Sequence, residues 1–405
     1  MWEEKKICDF AELITKGTTP TSVGCKFEDS GINYIKSESI GAGRQLDKSK
    51  YAFISDETHE KLKRSQIREG DILFSMAGAY LGKTGIVRKD DVPANTNQAV
   101  AIIRLNPEKV NSEYVYYVLN QPSMVALVNS TSSQSAQPNI NLKDIGNLSF
   151  GCPDRETQDK IVSLLSNLDT KIEINEAINR NLTQQLRAIV DNFVEQLDEF
   201  ELKRLDEVAE CQNGHAFYKE GYDEEGAFVI DLGNVNTSAN FVYTNADKYI
   251  SLERYEQEKL EKYRVYKDDL VMVMTDRKST MELLGKTGKV YKDGYYILNQ
   301  RMYRIRAKEG INVNYLYAIL NSTKVCNGLK EKALGSVQKY VNTKEINEIE
   351  VILPSPVKMD ELAQVVNPIS SQMETNILEN ENLQKLRDEL LPKLMSGELD
   401  VSDLE

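Results

Sequence analysis

Leu81-Gly-Lys-Thr-Gly and Leu284-Gly-Lys-Thr-Gly are the residues in this chain that most resemble chemistry, an identical pentapeptide occurring twice. Gly-Lys-Thr is the end of the G-x-x-x-x-G-K-[ST] loop that cradles nucleotide phosphates. That loop also requires an earlier glycine, and the position holds Ala77 in one copy and Thr280 in the other. The spacing therefore reads better as a glycine-framed turn between two strands, with Lys83 and Lys286 free to meet a phosphate. Two histidines, His59 and His215, leave little room for imidazole acid–base or triad chemistry. The five cysteines (Cys8, Cys25, Cys152, Cys211, Cys326) are scattered without a CxxC pair, so neither zinc nor a disulfide framework is suggested. No carboxylate pair stands out by spacing. Binding is favoured over catalysis.

What remains is a set of Lys, Arg, Gln, Asn and Thr residues in polar, turn-rich stretches. Lys and Arg position on phosphates or pair with guanine, and Gln and Asn pair with adenine edges. The candidates in the N-terminal half are Lys36, Arg44, Lys83, Thr84, Gln134, Gln137 and Asn139. Those in the C-terminal half are Asn234, Arg277, Lys278, Lys286, Thr287, Gln338 and Lys339.

The elements that would carry these residues are written twice. Trp2-Glu-Glu-Lys-Lys-Ile answers to Phe200-Glu-Leu-Lys-Arg-Leu, and Ile67-Arg-Glu-Gly-Asp-Ile-Leu to Val265-Tyr-Lys-Asp-Asp-Leu-Val. Asn97-Gln98 matches Asn299-Gln300, and Tyr114-Val-Tyr-Tyr-Val-Leu-Asn matches Tyr315-Leu-Tyr-Ala-Ile-Leu-Asn. Matches in this order define a duplicated fold. Runs such as Asp71-Ile-Leu-Phe-Ser, Gly85-Ile-Val, Ala99–Leu105 and Leu270-Val-Met-Val-Met read as strands. Ser112–Asn120 and Val313–Asn321 read as short helices, with Ser112 as N-cap. The segment 130–138 reads as a loop.

Two longer stretches follow the repeats. Leu165, Leu168, Ile172, Asn175, Asn179, Leu182, Leu186, Ile189 and Phe193 recur at steps of three and four, a heptad seam. Val366, Ile369, Met373, Asn376, Asn380 and Leu383 repeat the steps with asparagines in matching places. A helix of some 40 residues spans roughly 60 Å, and so narrow a seam requires a partner. The expected organisation is a domain at 1–153, a spacer helix at 154–199, a second domain at 200–354, and a helix with tail at 355–405. The fold class is α+β: two pseudo-repeated α/β domains separated by an antiparallel pair of long, coiled-coil-like helices, pseudo-twofold. The C-terminal tail should finish beside the first domain. Pro368 should bend the second helix and Pro392 end it near Leu391.

Charge follows this division. The net charge is -13, yet residues 1–153 hold 18 basic against 18 acidic residues and 200–354 hold 23 against 24. The helical stretches hold 5 against 10 and 4 against 11. They are suited to solvent or a protein partner and not to phosphates. Two related domains held apart by a stiff helix pair suit related sites on a regular polymer such as DNA. No apolar run reaches membrane-spanning length, and Met1-Trp-Glu-Glu-Lys-Lys lacks the apolar core of a signal peptide, so a cytoplasmic location without membrane attachment is expected.

The twofold plan, with Gly70-Asp-Ile-Leu-Phe-Ser, Leu81-Gly-Lys-Thr-Gly, Asn97-Gln98, Gln137-Pro-Asn-Ile-Asn and the ending Leu390-Leu-Pro-Lys-Leu-Met-Ser-Gly-Glu-Leu, resembles the specificity subunit of type I restriction-modification systems. The resemblance covers essentially the whole chain. It implies two target recognition domains, each reading half of a split, asymmetric site in double-stranded DNA, and helices that set the gap. It implies that catalysis lies in other chains. These are two modification subunits that methylate adenine with S-adenosylmethionine, and restriction subunits that use ATP and Mg. No cofactor is expected in this chain. Departures are local: Asp268 stands where the first copy has Gly70, and Cys152-Pro153 replaces an apolar-Pro-Leu-Pro run. A coiled-coil protein adaptor and a P-loop-like nucleotide enzyme remain as alternatives.

Overall fold

Asp154 starts the central helix: its carboxylate accepts the Thr157 N–H at 2.9 Å, and these backbone bonds hold its pKa below the usual carboxylate range. Without Gly or Pro to interrupt it, the helix runs Arg155–Glu195. Pro356, whose fixed φ and missing N–H suit a first helical position, opens a second helix at Pro356–Ser396. This helix ends at Gly397, which takes a left-handed φ of 74°. Contrary to expectation, Pro392 does not stop it at Leu391. Pro368 and Pro392 both occupy exposed positions, where a carbonyl left without its intrahelical donor can take water.

The protein is described by a computed structural model, covering residues 2–41, 43–132, 139–217, 221–243, 248–276, 280–336 and 338–402. It forms two compact units, Met1–Lys171 with Leu383–Glu405, and Ile172–Asn382. Each takes part of both long helices.

The first unit is built on a four-stranded antiparallel sheet in the order Ala11–Lys16, Val100–Leu105, Ile72–Ser75, Thr84–Ile86. Residues alternate across it with a period of two. Ile72, Phe74, Ala101 and Ile103 face a core shared with helix Ser112–Leu119, while Leu73, Val100 and Ile102 face a second core. A second sheet (Ala52–Ile54, Ile32–Ile35, Ala94–Thr96, Gln66–Ile67) has one parallel pairing, Ile32–Ile35 with Ala94–Thr96. The N-cap of Ser112–Leu119 is Asn111, not Ser112, since Asn111 Oδ1 accepts the Glu113 N–H at 2.9 Å. Helix Pro122–Ser132 takes in the start of the expected loop, whose residues 133–138 lie outside the described residues. The C-terminal segment completes this unit. Leu391, Leu394, Met395 and Val401 join its core, and Lys160 donates to the Ser402 carbonyl at 2.9 Å.

The second unit repeats the plan. Its antiparallel sheet runs Ala209–Asn213, Met302–Ala307, Leu270–Val273, Thr287–Lys289, and its mixed sheet runs Tyr249–Ile250, Ala227–Ile230, Tyr296–Leu298, Arg264–Val265. Leu270, Met272, Tyr303 and Ile305 face one core; Val271, Val273 and Met302 face the other. In this unit the two long helices run antiparallel. Asn175 Nδ2 donates to Asn380 Oδ1 at 2.8 Å, and Asn376 Nδ2 to Asn179 Oδ1 at 2.8 Å. Every seam position is buried or half-buried in its own unit. In the first unit, Arg387 from the second helix pairs with Asp169 of the central helix at 2.9 Å. No helix among the described residues is long and apolar enough to cross a membrane.

Candidate nucleic-acid interface

The repeated motifs, far apart in sequence, meet at one end of each antiparallel sheet. In the first unit the pentapeptide is a hairpin turn. Gly82, at φ 77°, donates to the Ser75 carbonyl at 2.9 Å, and Ser75 donates to the Lys83 carbonyl at 2.8 Å. A strand–turn–strand has no helix N-terminus to receive a phosphate, so the P-loop reading falls away. Asn97 Oδ1 accepts the Ala99 N–H at 3.1 Å, folding the turn that enters Val100–Leu105. The Ala99 carbonyl accepts from Met76 at 2.8 Å, the Met76 carbonyl accepts from Ile140 at 3.0 Å, and Asn139 bridges Ala77. Lys36 leaves the second sheet from Ile35, whose strand partner is Thr96.

The second unit matches these bonds one for one. Gly285, at φ 78°, donates to the Val273 carbonyl at 2.9 Å, and Val273 to the Lys286 carbonyl at 2.9 Å. Asn299 Oδ1 accepts the Arg301 N–H at 3.2 Å. Met274 donates to the Arg301 carbonyl at 3.0 Å, Val341 to the Met274 carbonyl at 3.0 Å, and Tyr340 pairs with Thr275. Crossing behind both turns is a glycine that admits no side chain. A Cβ on Gly17 would lie 2.0 Å from the Thr96 carbonyl oxygen, and one on Gly214 would lie 1.9 Å from that of Asn299.

The candidate residues divide by environment. Lys83 is exposed, its ammonium 5.4 Å from the Tyr80 ring; Asn139 is exposed; Lys339 is half-buried on the returning strand Lys339–Tyr340, and Gln338, just before it, is half-buried too. Lys36 is half-buried, 3.6 Å from Glu38 and 5.2 Å from the Phe27 ring. Lys286 differs from Lys83 despite its identical setting in sequence. Burial pushes its pKa down, with Arg187 and Lys330 acting in the same direction against Cys326. Four other candidates are buried, and their side chains bond within their own unit. Arg44 pairs with Glu113 at 2.7 Å and donates to Thr170 at 3.0 Å. Thr84 Oγ1 accepts from Asn120 at 2.6 Å. Thr287 donates to the Gly285 carbonyl at 3.2 Å. Asn234 donates to the Val242 carbonyl at 3.1 Å. Gln134, Gln137, Arg277 and Lys278 lie outside the described residues.

Sequence reasoning did not single out Gln98, Gln300, Arg301, Tyr340, Asn213 or Thr275, which the fold brings to these sheet ends. Gln98 and Gln300 project, exposed, from the asparagine-held turns. In the second unit, Asn213, Thr275, Gln300, Arg301, Gln338 and Tyr340 line a cleft of about 520 Å³. For Asn213, Thr275, Arg301 and Tyr340 the signal was that the two copies differ at those positions; for Gln98 and Gln300 it was that the copies agree.

The family model for the type I restriction modification DNA specificity domain matches twice, over residues 1–184 and 197–386. The specificity subunit of the type I restriction enzyme EcoBI from Escherichia coli is 33% identical over 167 residues, 39% of this chain and 34% of that protein. This chain thus aligns with about a third of the EcoBI subunit's length. The MjaVIII specificity subunit of Methanocaldococcus jannaschii is 23% identical, covering 100% of this chain and 94% of that one. The S subunit of a type I system from M. genitalium shares the fold, with TM-score 0.51 and 17% identity over 98% of this chain and 96% of the other. With both repeats matched, the chain belongs to the family of type I restriction-modification DNA specificity proteins, of which it carries two domains.

Proposed function

We propose that each unit presents the motif-bearing end of its antiparallel sheet to double-stranded DNA, reading one half of a split, asymmetric site. The observation that carries this is the bond-for-bond repetition of that sheet end. Residues identical in both units, the Gly-Lys-Thr turn and the Asn-Gln turn, serve both halves alike, as backbone positioning requires. Residues that change between the units carry whatever distinguishes the halves. Two modification subunits and the restriction subunits supply methylation and cleavage, with S-adenosylmethionine, ATP and Mg bound there, and this chain acts without catalysis of its own. The acidic helices support a protein partner over DNA, as do Ile174 and Ile178, exposed one turn apart on the central helix.

The test is Lys83→Ala in the chain assembled with its modification subunits. Binding should weaken about equally for every duplex, and the slope of log affinity against log salt should fall by about 1. An unchanged affinity and slope would remove Lys83 from the interface.

A further inference from the structure

The sheet ends share a frame and differ in what stands on it. Where the first unit has Lys16, Ala77, Ala99 and Asn139, the second has Asn213, Thr275, Arg301 and Tyr340. Of these changes, Ala99 to Arg301 is the largest in chemistry. Arg301 is fixed at its backbone, its N–H held by Asn299 Oδ1 at 3.2 Å and its carbonyl by Met274 N–H at 3.0 Å. Its guanidinium, half-buried, makes no hydrogen bond or ion pair among the described residues. A planar five-donor fork on a rigid base, with no ion-pair partner among the described residues, is suited to an acceptor from outside the chain.

The surroundings decide which acceptor. Phosphate tracks gather several cations. Here Arg301 shares its cleft with the amides of Asn213, Gln300 and Gln338, the Tyr340 ring, and the buried hydroxyl of Thr275, which has no hydrogen-bond partner among the described residues. Amides and hydroxyls pair with base edges, and an Arg fork matches guanine O6 and N7 in the major groove. Resting on the proposal that this sheet end meets DNA, we infer that Arg301 reads a guanine in the half-site bound by the second unit. Ala99 places no such demand on the first unit's half-site.

The experiment offers the assembled complex a pool of randomised DNA duplexes and sequences the bound fraction, for the unaltered chain and for Arg301→Ala, Arg301→Lys, Gln338→Ala and Lys83→Ala. In the unaltered chain one position of one half-site is guanine. Arg301→Ala and Arg301→Lys each lower the preference for guanine there by about ten- to a hundredfold, because lysine keeps the charge but loses the two-pronged fit. The other half-site is unchanged. If Arg301→Ala weakens all duplexes equally and Arg301→Lys restores them, Arg301 touches a phosphate. The guanine assignment is then overturned while the interface stands. If all four variants bind the same sequences as tightly as the unaltered chain, the sheet end is not the interface, and both ideas fall together.

Discussion

Lys289 Nζ lies 3.0 Å from Asp268 Oδ1, and these two residues stand where the first unit has Ile86 and Gly70. Asp268 and Gly70 are both left-handed, at φ 68° and 83°, a conformation that costs aspartate more than glycine. Lys289 is 6% exposed and also donates to Asn314 at 3.0 Å and Ser370 at 3.2 Å. The strained aspartate is therefore the counter-charge of a buried lysine. Asp268→Gly relieves about 1 kcal/mol of backbone strain but withdraws the carboxylate, costing about 2 kcal/mol, since Asp268 is half exposed. The net is a loss of about 1 kcal/mol. In a Lys289→Ile background the same change should stabilise by about 1 kcal/mol. Urea unfolding of the four-member cycle checks this, and additive effects would refute the coupling.

The seam asparagines of the second unit are coupled in a similar way. Asn376 donates to Asn179, and Asn179 in turn donates to the Met373 carbonyl at 3.2 Å, all of it buried. Asn376→Leu leaves the Asn179 acceptor dry and unpaired, at about 2 kcal/mol. Adding Asn179→Leu should recover at least half of that loss in the same unfolding measurement. A double variant no more stable than the single one would show that the pair does not act as a unit. What the apolar pair gives up is the polar contact that fixes register.

His215 makes stability depend on pH. Its ring lies 4.8 Å from Phe217 and 5.0 Å from Tyr263. Burial lowers its pKa below the ordinary 6.5, Glu258 opposes this, and Lys262 and Arg254 add to it. The unfolded chain therefore takes up the proton more readily than the folded one. The His215 contribution is neutral well above the unfolded pKa, and stability is lost as pH falls through about 6.5 toward the folded value. His215→Asn should flatten the stability profile between about pH 7.5 and 5. Profiles that stay parallel would exclude the effect.

Two glycines of the second unit should respond with opposite signs. Gly214→Ala puts a Cβ against the Asn299 backbone, which cannot swing aside, and should cost about 3 kcal/mol. Gly328, inside helix Thr323–Glu331, has nothing within 4 Å of a built Cβ, so Gly328→Ala should stabilise by up to about 1 kcal/mol. Thermal unfolding of the two variants checks both signs.

Much of this fold was legible in the residues themselves. The duplication survived because matches such as Asn97-Gln98 with Asn299-Gln300 keep their order. The seams survived because steps of three and four are the imprint of a helix face. The hairpin reading of Leu81-Gly-Lys-Thr-Gly followed from its glycines, and Gly82 is left-handed as a turn requires. The site was less legible, for a definite reason. Polarity predicts exposure, yet Arg44, Thr84, Asn234 and Thr287 are polar and buried because the fold supplies their partners, none adjacent in sequence to the side chain it satisfies. Lys83 and Lys286 sit in the same five letters and differ in burial, which depends on what packs over the turn. Arg301 was overlooked because the alignment of the copies was followed for its matches, whereas Arg301 is marked by its difference from Ala99.

Leu391, Leu394, Met395 and Val401 sit in the core of the first unit, more than 200 residues along the chain from the strands they cover. During synthesis that unit is made first but cannot be closed first. Its apolar face stays open until residues 391–401 have been made, and its contact order is correspondingly high. The second unit, whose sequence is continuous, can settle before the first is sealed. Of the two units, the one whose strands come earlier in the chain is therefore the later to be sealed.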